Sequence, residues 1–253
     1  MEGMKIGILT AMGSERARIE ALLEDRRELS PAGAAAVCPS SGSLSPAGAP
    51  RVPRVFQVGR IGKSEVALSE TGIGKVNAAV GALELIRAFR PDCIVSTGVA
   101  GGLDASLRVM DVVAGAEVVY HDADCGPGNE PGQIQGLPAR YAAAPALFAR
   151  ALAVQAEGVA IRGGLIASGD QFVSSKEQLA AIRKRFPEAL AVDMESGALA
   201  QVCHLCQVPF IAFRILSDTP GVDDHYRQYK DFWGEMANRS FSVTRHFLAA
   251  LGA

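Results

Sequence analysis

The chain has 253 residues, 49% of them hydrophobic and 21% charged, so it can bury a sizeable core and does not have the composition of a disordered chain. A formal net charge of −2 supplies no basic field for nucleic acid, and 6% aromatic residues are too few for a base-stacking platform. No apolar run reaches the length of a membrane span, and the start "MEGMKIGILTAMGSE" lacks the basic opening of a signal peptide, so a cytoplasmic protein with its five cysteines reduced is expected.

In chain order, "KIGILTA" (5–11), ended by "MGSE" and followed by an acid-rich amphipathic stretch, reads as strand, turn and helix. Residues 30–53 are rich in Ala, Pro, Ser and Gly and have no periodicity. They read as a flexible insertion within one domain spanning 1–253, because the segment before them is too short to be a domain. Strand-like runs resume at "RVFQVGRIG" and "SEVALSET", and helical spacing covers 74–89. "PDCIVSTG" (91–98), "DVVAGAEVVYHD" and residues 160–170, 190–194 and 208–218 read as further strands. Helical patterns fill 175–186, 195–206 and about 231–251. This βα alternation predicts a single α/β domain with a central mixed, largely parallel twisted sheet flanked by helices.

The chemistry-bearing residues cluster just after predicted strands: Glu15, "TGVAGG" (97–102), Asp170, Glu195 and Asp218. Ligands of open α/β sheets bind beyond the carboxyl ends of the strands, so these segments are expected to converge. "ETGIGKVN" (70–77) is not a phosphate loop, since Ser69 and Val76 stand where GxxxxGK[ST] needs Gly and Ser or Thr. "TGVAGG" reads as a glycine-rich strand-to-helix corner, either a tight turn or a place where backbone N–H groups approach a ligand. There is no GxSxG, and the four histidines show no partner pattern. "CHLC" (203–206) has CxxC spacing but falls in a helical stretch, where two cysteines on one face read as core; no metal and no cofactor are expected. Carboxylates remain the catalytic candidates. Each has a plain structural alternative: Asp218 a turn residue before "TPG", Glu195 a first-turn acid, Asp193 a helix cap.

At "SGDQFV", "AVDMES" and "FRILSD" the chain resembles the 5′-methylthioadenosine/S-adenosylhomocysteine nucleosidases of the nucleoside phosphorylase superfamily, and "AMGSE", "ETGIGKVNAA", "STGVAGGL" and "VVYHDAD" match in the same order. The resemblance implies cleavage of a glycosidic C–N bond in an adenine nucleoside. It puts Asp218 at adenine N7 as general acid, with Ser217 orienting it, and Glu15 at the attacking water. Met194 and Met12 would border the sugar, and Glu195 would accept from its hydroxyls. Phe172 would stack on adenine, while backbone groups of Val173 read its N1 and N6 edge. Val99, Ala100 and Gly101 would line the site, and Tyr229 would lie over the ribose or the 5′ group. Asp193 stands where many relatives carry Glu and is given a supporting role; Arg214 is given none. The family also implies a homodimer, with a neighbour's loop, resembling the region after 118–124, closing the 5′ end. Two alternatives are a phosphorylase using phosphate and a nucleoside-binding module without catalysis. Val99 replaces a phosphate-binding Ser, no Arg lies at that corner, and Glu15 would repel a dianion, all of which favours water. The resemblance does not rank methylthioadenosine, S-adenosylhomocysteine, 5′-deoxyadenosine and aminodeoxyfutalosine.

Overall fold

A computed structural model of the chain describes residues 3–30, 56–156, 158–219, 225–233 and 237–251. Apart from Ser30, the insertion expected at 30–53 lies outside the described residues. The elements run β1 (Lys5–Thr10), α1 (Gly13–Glu20), β2 (Glu24–Leu29), β3 (Phe56–Ile61), β4 (Ser64–Glu70), α2 (Lys75–Phe89), β5 (Cys93–Gly102), β6 (Val112–Tyr120) and β7 (Tyr141–Ala142). They continue through α3 (Pro145–Ala153), β8 (Ile161–Ser168), α4 (Lys176–Arg185), β9 (Ala189–Asp193), α5 (Ser196–Cys206), β10 (Phe210–Asp218), α6 (His225–Asp231) and α7 (Ala237–Leu251).

The sheet is mixed. Parallel pairs join β1 to β4 and β5, β5 to β10, β6 to β8 and β8 to β9. β6 runs antiparallel to β10, and the tip of β5 pairs antiparallel with β9 through Gly101↔Val192 and Gly102↔Ala191. The strands β5–β10–β6–β8–β9 therefore close on themselves, and β1–β4–β3–β2 extend from the ring as a wing. Closure forces β5 to change neighbours along one edge. β1 pairs with Cys93–Ser96, whereas β9 pairs only at Gly101 and Gly102. The stretch between has no strand on that side, and the functional side chains gather there.

Burial explains the run-like strand sequences. All nine residues of β10 are buried, because the strand is central and covered on both faces. α2 and α5 close one face over Leu85, Phe89, Ile94, Leu199 and Cys203. α1, α3 and α7 close the other over Ile8, Ile19, Val95, Phe213 and Phe247. α4 seals the β8–β9 region with Ile182 and Phe186. No helix among the described residues is long and apolar enough to cross a membrane.

Four features differ from expectation. "TGVAGG" is not a strand-to-helix corner: β5 stays extended through Gly102. Its small residues answer close approaches instead, since a Cβ on Gly98 would lie 2.5 Å from Glu15 Oε1. β2, "EDRREL", is an exposed edge strand whose charges hide it from apolar periodicity and guard the edge against further pairing. α3 was not read from the sequence; Pro145 opens it, where a missing N–H costs nothing. The last helical region starts earlier than about 231: α6 begins at His225, and α7 covers Ala237–Leu251.

Phe213 of β10 and Phe247 of α7 are fully buried and stacked, with centroids 4.8 Å apart and planes 16° from parallel. Phe247→Ala is expected to cost about 3–5 kcal/mol, read as a lower urea midpoint with an unchanged slope. An unchanged midpoint would mean that α7 does not contribute to the core.

Candidate active site

Beyond the strand ends lies an open cavity lined by apolar side chains and buried carboxyl groups. The twelve residues that the resemblance assigns to the site line it, whereas Asp170, also expected to converge there from its place after a strand, does not. Met12 and Glu15 come from the turn after β1 and the first turn of α1, and Val99, Ala100 and Gly101 from the tip of β5. Phe172 and Val173 follow β8, Met194 and Glu195 lie between β9 and α5, Ser217 and Asp218 end β10, and Tyr229 comes from α6. Ala11, Ile73, Gln171, Val192 and Asp193 complete the lining.

Glu15 is 2% exposed and fills the gap on the edge of β5. Its Oε1 accepts the Val99 N–H at 2.9 Å, and its Oε2 accepts those of Ala11 at 2.9 Å and Met12 at 3.1 Å. Only a glycine at 98 allows this approach. Burial pushes the Glu15 pKa above the ordinary carboxyl value; the three N–H donors and the Arg214 charge oppose that shift without cancelling it.

Arg214, given no role from sequence, is the cation beneath this cluster. It is 3% exposed; its Nε donates to Asp193 Oδ2 at 2.6 Å and its Nη2 to Ser96 Oγ at 2.7 Å. Asp193 also accepts the Ser196 hydroxyl and the Ser196 N–H, at 3.2 Å to Oδ1 and 3.3 Å to Oδ2. Asp193 thus accepts the first N–H of α5, in keeping with the cap expected of it, and also anchors a buried ion pair that the sequence did not show. Glu195, next to it, is also buried, and its Oε1 accepts the Gly74 N–H at 2.9 Å. Burial, then the adjacent Asp193 charge, raise the Glu195 pKa, and the Gly74 N–H and Arg214 restrain the rise.

Asp218 is 4% exposed at the last position of β10, in register with Gly101. Ser217 Oγ lies 2.7 Å from Asp218 Oδ1 and 3.3 Å from the Ala100 carbonyl oxygen. A hydroxyl has one proton and two lone pairs, so Ser217 can donate to an ionised Asp218, or accept from a protonated one while donating to Ala100. Phe172 is not a core residue: it is 45% exposed at the cavity wall, with edge contacts to Tyr229 at 5.7 Å and Tyr226 at 6.5 Å between centroids. Tyr229 Oη approaches Met12 Sδ at 3.6 Å. Of the two cysteines read as core, Cys203 is buried and Cys206 is only partly buried, and no cluster suited to a metal ion occurs among the described residues.

The Phosphorylase superfamily model matches residues 5–249, which fixes the class of protein that this fold and cavity represent. A 5′-methylthioadenosine/S-adenosylhomocysteine nucleosidase of Geobacillus thermodenitrificans (strain NG80-2) is 40% identical over 251 residues, 98% of each chain. The nucleosidase of the same name from Colwellia psychrerythraea 34H, solved in complex with adenine, superposes with a TM-score of 0.84 at 33% identity, covering 98% of this chain and 96% of that one. The Neisseria meningitidis enzyme, in complex with methylthio-immucillin-A, gives 0.83 at 34%, covering 97% and 99%. The chain belongs to the 5′-methylthioadenosine/S-adenosylhomocysteine nucleosidase family.

The raised Glu195 pKa has a direct consequence for stability. A buried acid whose folded pKa exceeds its ordinary value of 4.5 destabilises the fold once ionised. Its favourable contribution is complete below 4.5 and is lost as pH rises through the folded value. Glu195→Gln keeps an acceptor for Gly74 and removes the charge. The melting temperature of this variant should gain on the unsubstituted protein as pH rises from the ordinary carboxyl range to neutrality; a constant difference would mean that Glu195 ionises as if exposed.

Proposed function

We propose that the chain hydrolyses the N-glycosidic bond of 5′-methylthioadenosine and S-adenosylhomocysteine, releasing adenine and the 5′-thio-substituted ribose. One observation carries the reading: two buried carboxylic acids, Glu15 and Asp218, line the same cavity as Glu195, which is placed to hold a sugar. Adenine departs poorly as an anion. Asp218 delivers a proton to N7, so the base leaves neutral while positive charge develops on the ribose. Ser217, between Asp218 and the Ala100 carbonyl, serves both protonation states of the acid. Phe172 offers an exposed ring face for adenine, and Val173 backbone groups lie beside it. Glu195 has committed Oε1 to Gly74, which leaves Oε2 to accept from the ribose hydroxyls, chiefly the 2′-OH.

Glu15 takes the proton from a water that attacks the sugar carbon on the face opposite adenine. A raised pKa suits a base that must capture a proton near neutrality. The division into one proton-donating and one proton-accepting carboxyl group parallels inverting glycosidases. Water is favoured over phosphate because Val99 has an apolar side chain and its N–H is already spent on Glu15. A dianion there would meet the Glu15 carboxyl group, and Arg214, the cation beneath it, is already paired with Asp193. Met12, Met194 and Tyr229 border the sugar and its 5′ group. The protein acts in the cytoplasm as a homodimer, a reading supported by exposed apolar side chains at Ile73, Val76 and Val80.

Adenine release from methylthioadenosine should proceed in phosphate-free buffer at an undiminished rate; release only on adding phosphate would overturn hydrolysis, and binding without release would indicate a module. Asp218→Asn and Glu15→Gln should each lower kcat by about 10²–10⁴, with smaller effects on KM. In the unsubstituted enzyme kcat/KM should fall with decreasing pH through an apparent pKa above the ordinary glutamate value of 4.5, and Glu15→Gln should abolish that limb.

A further inference from the structure

The ribose-side carboxylate is held by a residue outside the cavity. The Gly74 N–H that engages Glu195 belongs to the N-cap of α2, a glycine at φ +93° whose absent Cβ would meet Asp170 Oδ1 at 2.9 Å. That cap has no side chain of its own to fix it. Its neighbour Lys75 does so instead. The Lys75 N–H donates to Asp170 Oδ1 at 2.7 Å, and Lys75 Nζ donates to Asp122 Oδ2 at 2.8 Å. The same Asp122 oxygen accepts the Asp170 N–H at 2.9 Å, which closes the triangle. Lys75 Nζ also lies 5.3 Å from the centre of the Tyr120 ring, and Tyr120 Oη donates to Gln201 of α5, the helix that Glu195 begins. Asp122 follows β6, Asp170 follows β8, and neither lines the cavity.

We propose that Lys75, Asp122 and Asp170 are positioning residues, a latch that seats the Gly74 N–H against Glu195 and so sets how well the enzyme binds the 2′-hydroxyl of its nucleoside. The inference rests on the reading of Glu195 as the ribose acceptor. With Gly74 in place, Oε1 is occupied and Oε2 is aimed. If α2 frays at Lys75, Glu195 loses its only N–H donor among the described residues, and its carboxylate turns or takes up a proton. Burial works against ionisation of Asp122, but Lys75 and the Asp170 N–H outweigh it and hold the pKa below the usual range, so the Lys75–Asp122 contact is an ion pair at neutral pH. Lys75 and Asp122 are partly buried, so this pair is less screened than a surface one.

The test compares KM for methylthioadenosine with KM for its 2′-deoxy analogue. Lys75→Met and Asp170→Ala should each raise KM for the ribonucleoside by about tenfold, with a smaller change in kcat, and should shrink the discrimination against the 2′-deoxy analogue. Asp170 is exposed, so its variant keeps the test alive if Lys75→Met fails to fold. Lys75→Arg should restore much of the discrimination. An equal rise in both KM values, or no change in either variant, would overturn the latch as a ribose device. Glu195→Gln serves as reference. If it shrinks the discrimination and the latch variants do not, the latch alone is wrong; if it leaves the discrimination intact, the ribose assignment falls and the latch falls with it.

Discussion

One guanidinium sets the electrostatics of the whole site. Arg214 is buried beneath three buried carboxyl groups, Glu15, Asp193 and Glu195, and pairs directly with only one of them. Its bond to Asp193 neutralises that acid and, through Ser196, ties it to the start of α5. Glu15 and Glu195 feel Arg214 only through its field, which lowers their pKa values less than burial raises them. The cavity is thus short of positive charge. In the proposed mechanism, a sugar that becomes oxocarbenium-like would supply that charge only during reaction, so the carboxylates would favour the transition state over the ground state. The same shortage works against a bound dianion. Hydrolysis rather than phosphorolysis follows from one electrostatic condition and does not need a separate steric argument.

The strand ring explains how these groups meet. Were β5 paired along its full edge with β1, the N–H of Val99 would belong to a ladder, and Glu15 would have no place at the sheet. Because β9 takes over that edge only at Gly101, the intervening N–H needs another acceptor, and a carboxylate from the first turn of α1 provides it. Asp218, in register with Gly101, enters from the opposite edge of the same strand. The two acids proposed to take opposite duties are thereby fixed to one strand end two residues apart, Glu15 on the Val99 N–H and Asp218 in register with Gly101. Gly98 is the sequence trace of this arrangement.

Much of this was legible in the sequence, and the limits have physical causes. Strands buried on both faces read as apolar runs, so β5, β8, β9 and β10 and the acids after them could be placed without coordinates. β2 could not, because an exposed edge selects charge, and its strand identity depends on β3 rather than on its own residues. The glycines of "TGVAGG" left a tight turn and a backbone approach to a ligand equally open, and neither reading included Glu15; a carboxylate 84 positions earlier in the chain leaves no local signature. Arg214 was passed over for a related reason. In sequence it is one arginine inside a strand. Its meaning lies in Asp193 and Ser96, which arrive from two other strands. Asp193 was readable as a cap because that contact is local, and its ion pair was not because that contact is distant.

The site is also uneven in how firmly its parts are held, and this bears on substrate range. The acids proposed to act on adenine and ribose, Glu15, Glu195 and Asp218, sit at strand ends or are tied by backbone N–H donors, whereas Phe172, proposed to stack on adenine, follows β8 and is 45% exposed. The side proposed to face the 5′ substituent has Tyr229 on a seven-residue helix outside the sheet, in contact with Met12, the half-exposed ring of Phe172 and Trp233. Short helices depend on packing for their stability, and an aromatic pair tolerates rotation better than an ion pair does. On the proposed reading, a cavity held firmly around its sugar-side acids and less firmly at the 5′ end would select for the ribose that both nucleosides share. It would discriminate little between a methylthio and a homocysteinyl group, so that one site could serve both.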